Sequence, residues 1–334
     1  MNDAPKQKDF IPFLRDTDDD ISLRPKRLNE FIGQDKVRAN LNVFIQASLA
    51  RDESLDHVIL YGPPGLGKTT LASIIANEMN AAIRYLSGPS LTRSGDVASI
   101  LTTVTDRDIL FIDEVHRLPR VCEEILYSAM EDFALDILIG KGPGARSVRI
   151  SLPPFTLIGA TTRISLLSAP LRNRFGIIEK LDFYNQGDLS AIVLRSSAVM
   201  NIPIDQDASE EVARRSRGTP RIANRILKRV RDFAQYYGKS AIDKELVRDA
   251  LECLEIDDMG LNRMDRNLLK ILLDHYHGGP VGINNLAMML GEDAATVEEV
   301  YEPFLIKVGL LIRTPRGRMI TPQGHQYIKG KKLL

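Results

Sequence analysis

One short segment restricts what this chain can fold into more than any other. Residues Gly62–Thr69 read GPPGLGKT, matching G-x-x-x-x-G-K-[ST], and Ile109–Glu114 downstream read ILFIDE. A loop of the first kind belongs between a strand and a helix. Its glycines let backbone N–H groups close around phosphates while its lysine neutralises them. The second segment is an apolar strand ending in two carboxylates, suited to holding Mg²⁺ and aiming a water. Lys68 is expected on the β- and γ-phosphates and Thr69 Oγ on Mg²⁺. A helix is expected from Thr70, with its N-terminus favouring anions. Asp113 is the expected Mg²⁺ partner, directly or through water, and Glu114 the base that orients the attacking water. An intact glutamate there argues for ATP hydrolysis over a binding-only nucleotide switch.

The surrounding pattern agrees with that fold class. Short apolar runs at His57–Leu60, Ile83–Leu86, Ile109–Ile112, Thr156–Gly159 and Ile177–Asp182 alternate with helix-like stretches. Such alternation predicts an α/β core, a parallel sheet with helices on both faces. Residues 136–150, DILIGKGPGARSVRI, read as a protruding hairpin with a GKGPG turn. Residues 1–20, with the acid run Asp16, Asp18, Asp19 and Asp20, read as a flexible leader. The first domain is expected over 21–182, and a helical lid over 183–255. Within the lid, Thr219 and Pro220 mark the start of an Arg-rich helix, Thr219 as its cap and Pro220 at its first position. From 256 to 334 three helices precede two short strands around Pro315-Arg316-Gly317-Arg318, the order of a winged helix-turn-helix.

Charge and composition narrow the function. Lys plus Arg equals Asp plus Glu at 44 each, so bulk charge indicates no partner, but after Glu302 there are seven Lys/Arg and no acid. Arg313, Arg316 and Arg318 flank the wing, with no interleaved aromatic residue, which favours phosphate contact over base stacking. Cys122 and Cys253 have no metal or redox spacing, and Cys122 is expected as a buried thiol. No apolar run is long enough to span a membrane, nor does the start resemble a signal peptide, so a reducing cytoplasmic setting is expected. His116, next to the second motif, is read as positional because Glu114 already fills the role of base.

GPPGLGKT with a DE-type second motif resembles the AAA+ ATPases. LRPKRLNEFIGQ, DILFIDEVHRL, PFTLIGATTR, LRNRFGI, SRGTPRIANR and YEPFLIKVGLLIRTPRGR extend the likeness, from about residue 20 to 325, to the RuvB family of bacterial Holliday-junction branch-migration motors. The resemblance implies a polar sensor at Thr162, an arginine finger at Arg174 and a second sensor at Arg221. It also implies nucleotide contacts from Leu23, Arg24 and Tyr184, and DNA contacts from Arg313 and Arg318. It further implies a homohexameric ring around duplex DNA at a Holliday junction, working with RuvA and RuvC. The hairpin would dock RuvA through Ile137, Leu138 and Ile139, or those residues simply pack on their own sheet. A clamp-loader-like ATPase and an ATP-gated DNA-binding regulator stand as alternatives. The winged ending disfavours the first, and Glu114 with Arg174 the second.

Overall fold

In the computed structural model, residues 23–139 and 146–330 are described. The expected leader and hairpin turn, and the side chains of Ile137, Leu138 and Ile139, lie outside the described residues.

The three inner strands of the central sheet are buried on both sides, whereas the two edge strands alternate with exposed residues. In β1 (Val58–Tyr61), β2 (Ile83–Ser87), β3 (Ile109–Asp113), β6 (Thr156–Thr161) and β7 (Ile177–Lys180), all pairings are parallel, in the order β2-β3-β6-β1-β7. Successive side chains of a strand face opposite ways. Val58 and Leu60 therefore enter one core with Phe111 and Ile158, whereas Ile59 enters another with Leu110, Ile112 and Leu157. Helices α1 (Asp35–Arg51) and α2 (Lys68–Met79) cover the first face. Helices α3 (Ser94–Leu101) and α4 (Arg120–Glu131) cover the second, burying Cys122. The hairpin pairs β4 (Ala134–Ile139) with β5 (Arg146–Ser151). The one-turn α5 (Ala169–Arg172) precedes β7.

The lid is all helical: α6 (Gln186–Val199), α7 (Gln206–Arg214), α8 (Pro220–Tyr236) and α9 (Lys244–Cys253). Its Leu189, Val193, Ile226 and Leu227 continue the core of the first sheet face, so lid and sheet share one apolar body. Thr219 stands at the N-cap and Pro220 opens α8, as expected, but the Thr219 hydroxyl makes no capping bond and donates to the Ser216 carbonyl at 3.3 Å instead.

A separate core holds the last unit, α10 (Arg263–Tyr276), α11 (Ile283–Leu290), α12 (Ala294–Thr296), α13 (Glu302–Lys307) and α14 (Pro322–Gly330). The expected single third helix is broken by a π-helical turn at Val297–Tyr301. The wing is β8 (Leu311–Thr314) against β9 (Gly317–Ile320), antiparallel, with Pro315 and Arg316 as the turn.

Candidate active site

The P-loop leaves β1 at Tyr61 and enters α2 at Lys68. Gly65 and Gly67 hold φ at 80° and 100°, strained for any residue with a Cβ. A methyl on Gly65 would lie 3.0 Å from Arg221 Cβ, and one on Gly67 would lie 3.3 Å from the Phe31 ring. Gly62, at φ 142°, leaves still less room, since a methyl there would run into the Leu181 carbonyl oxygen. The loop is bare because it must curve and because three other segments press on it.

Lys68 Nζ donates to the carbonyls of Gly62 and Pro63, each at 2.9 Å. Burial pushes its ammonium down to about 8. The carboxylates of Asp113 and Glu114 oppose that drop, and Arg221 adds to it. Thr69 and Thr70 follow on the first turn of α2, both half-buried.

Asp113 ends β3, accepting the Glu114 N–H at 2.9 Å, and burial pushes its carboxyl up. Glu114 takes a left-handed φ of 50°, turning the chain out of the sheet. Its Oε2 accepts from Arg117 at 3.0 Å. His116 Nδ1 lies 2.8 Å from Thr161 Oγ1, which also accepts the Arg163 N–H at 3.0 Å. Thr161 is thereby committed to structure. The Thr162 hydroxyl is buried and makes no hydrogen bond among the described residues. An unmade hydrogen bond of that kind costs about 1–3 kcal/mol, and a phosphate oxygen would supply the partner.

The lid closes the site from above. The Tyr184 hydroxyl donates to the Leu66 carbonyl at 3.2 Å, and burial pushes the phenol up. The Arg221 N–H donates to the Gly65 carbonyl at 3.3 Å, so α8 rests its first turn on the P-loop. Leu23 is buried, its carbonyl accepting from Arg195 at 2.8 Å, and Arg24 beside it is half-buried. These residues fit a nucleotide: a Cβ-free cradle, a buried cation and a hydroxyl in need of a partner. Thr69 and Asp113 offer the one or two hard oxygens that Mg²⁺ takes from protein.

Arg174 is not brought to this site. It lies beside the opposite end of β1, where Ile177 N donates to the His57 carbonyl at 3.1 Å. Its guanidinium reaches Glu131 at 2.7 Å, the carbonyls of Tyr127 and Pro170, and the Tyr127 ring at 4.7 Å. An arginine so placed does not reach the P-loop of its own chain.

The wing departs from expectation at Arg318. Arg313 and Arg318 are paired across the hairpin and share one face of it. That face looks onto Glu298 and Glu302 rather than outward. Arg318 is only 7% exposed and grips Glu302 through Nε and Nη2. Arg313 is half-exposed and bonds Glu298, whereas Arg316, in the turn, is exposed.

Three residues of this polar frame carry no sequence signal. Arg217 pairs with Asp265 between lid and winged helix, and Arg163 pairs with Glu298 and Glu299 between sheet and winged helix. Gln34 clamps the backbone of Asp182 with both amide atoms. Isolated polar residues become legible only when their distant partners are known.

Three family profiles cover the chain in turn. Residues 23–181 match the RuvB P-loop domain of the Holliday junction DNA helicase, 184–257 the RuvB AAA lid domain, and 258–329 the RuvB C-terminal winged helix domain. The Thermotoga maritima RuvB structure described as a Holliday junction branch migration motor is 50% identical. The match covers 92% of this chain and 98% of that one, with a TM-score of 0.85. Two substituted forms of that protein match at 0.86 with the same identity and coverage. No helix among the described residues is long and apolar enough to cross a membrane. The chain therefore belongs to the RuvB family, the ATP-dependent motors of Holliday-junction branch migration.

Proposed function

We propose that six copies of this chain form a ring that pumps duplex DNA through a Holliday junction, each ATP sitting between one copy's P-loop and the next copy's Arg174. What carries this reading is a continuous mechanical path. Arg221 N bonds the P-loop carbonyl of Gly65, and Arg217, four residues earlier, grips Asp265 of the winged helix. A shift of the lid over the nucleotide must therefore carry the DNA-binding unit with it.

Within each site, Lys68 and Arg221 would balance phosphate charge, and Thr162 would hydrogen-bond the γ-phosphate side. Thr69 and Asp113 would hold Mg²⁺, which spreads the phosphate charge when bound. Glu114 would orient the attacking water once it releases Arg117. Arg174, supplied in trans, would stabilise the transition state, an effect on the order of 10³–10⁵ in rate. Leu23, Arg24 and Tyr184 would seat the nucleoside. Arg313 and Arg316 would meet DNA phosphates, with Arg318 bracing the wing from within. The hairpin would dock RuvA, and RuvC would resolve the junction, in the cytoplasm.

The test is ATP-dependent dissociation of a synthetic four-way junction with a RuvA-type partner, comparing wild type with Glu114→Gln. Wild type alone should be active. Equal activity in both would refute the hydrolysis-driven motor.

A further inference from the structure

One carboxylate stands between the nucleotide site and the wing. Arg163 directly follows Thr162, and its N–H is fixed on Thr161 Oγ1. Its Nη2 reaches across to the winged helix, 2.7 Å from Glu298 Oε2 and 3.1 Å from Glu299 Oε1. The other oxygen of Glu298, Oε1, bonds Arg313 and lies 3.6 Å from Arg318. The π turn presents Glu298 and Glu299 side by side, and such turns gather at functional sites. Arg163 and Glu298 are 31% and 29% exposed, so water screens the pair less than an open surface pair.

Sharing has a consequence for DNA. Glu298 competes with phosphate for the half-exposed guanidinium of Arg313. A carboxylate divided between two guanidinium groups holds each less firmly than one held by a single partner. With Arg163 engaged, Glu298 releases Arg313 more readily. With Arg163 withdrawn, the full charge of Glu298 falls on the wing and competes with phosphate.

We propose that Arg163 is a positioning residue that couples the nucleotide state to the wing's grip on DNA through the shared carboxylate of Glu298. The idea rests on the wing being the DNA contact. Any displacement of the β6 end at Thr162 moves Arg163 and changes how Glu298 is shared. Coupling is reciprocal, so DNA on the wing must alter nucleotide affinity by the same factor.

The test uses the full chain and a fluorescent duplex. Affinity is measured with saturating ADP and with a non-hydrolysable ATP analogue. Wild type should show at least an approximately fivefold ratio between the two states, the low end of ordinary coupling. Arg163→Ala should bind DNA more weakly and bring the ratio near one, and Arg163→Lys should keep part of it. Glu298→Gln should bind more tightly in both states, also with a ratio near one. Loss of either charge shifts affinity by itself, so the collapse of the ratio between the two nucleotide states is the readout that a merely structural contact would not move. A wild-type ratio near one, or an unchanged ratio in Arg163→Ala, overturns the proposal. Glu298→Gln, a near-isosteric change, decides alone if Arg163→Ala does not fold. If Arg313→Ala and Arg316→Ala leave DNA affinity unchanged, the wing reading itself fails. If they weaken it while Arg163→Ala keeps the ratio, only the coupling fails.

Discussion

Replacing Arg217 by alanine should loosen the winged helix from the lid by an amount the geometry bounds. Asp265 is fully buried and the Arg217 side chain is 10% exposed. The guanidinium bonds both carboxylate oxygens, donates to the Gly260 carbonyl at 2.8 Å and lies 5.1 Å from the Phe304 ring centre. Removing it strands a buried carboxylate, a loss of about 3–5 kcal/mol. The ring contact is worth roughly 0.5–2 kcal/mol, and water entering the space returns part of the total, leaving about 4 kcal/mol. That is about a thousandfold in a local opening equilibrium, readable as lost hydrogen-exchange protection in α10. The effect should depend on pH. Burial already pushes the Asp265 carboxyl up, against the pull of Arg217. A folded-state value above the unfolded one means the folded chain binds the proton more readily. The group thus favours folding at low pH, and that contribution is lost as pH rises through the folded value. Without Arg217 the value climbs further, so the penalty should be largest at neutral pH and fade on acidification. Junction dissociation should fall while ATP binding persists. Protection within tenfold of wild type, or a deficit that grows as pH falls, would refute the argument.

Other consequences are as direct. Lys68, with its ammonium near 8, should take up a proton when a polyphosphate binds near that pH, and affinity should fall as pH rises through it. Calorimetry in two buffers of different ionisation enthalpy reads the uptake, which Lys68→Arg should abolish. His57 accepts the Leu157 N–H at 2.9 Å on Nδ1 and lies 3.0 Å from the Met130 carbonyl on Nε2, and burial pushes its imidazole down. Its neutral form therefore stabilises the fold above 6.5, and this is lost as pH falls through the depressed folded value. The urea midpoint should drop on acidification more in wild type than in His57→Gln. Arg174→Ala should lower hydrolysis by about 10³ or more while ATP still binds. Mixing it with Lys68→Ala should restore activity if the finger acts in trans, because each copy supplies what the other lacks, and no recovery would place the finger in cis.

The nucleotide cradle was legible because its chemistry is local. Gly62, Gly65, Gly67 and Lys68 must be neighbours in sequence to curl around phosphate, and Asp113 and Glu114 must end an apolar strand. The parallel sheet was equally legible, since strands buried on both faces leave unbroken apolar runs. The helix expected from Thr70 begins at Lys68, and the third helix of the last unit read as unbroken because a π turn keeps helical periodicity. The burial of Arg318 is of another kind. In sequence it is one of three similar arginines on a wing, but its strand position turns it onto Glu302 and Arg316 outward.

Local pattern thus determined the class of fold, the phosphate loop and the acidic strand end. Tertiary structure alone decided the strand order, the resting of Arg221 on Gly65 and the remoteness of Arg174 from its own site. It also decided the pairs Arg217–Asp265 and Arg163–Glu298. Those pairs join residues 48 and 135 positions apart, and no periodicity or propensity carries information over that distance. Only the packing of sheet, lid and winged helix against one another brings such charges within reach of each other.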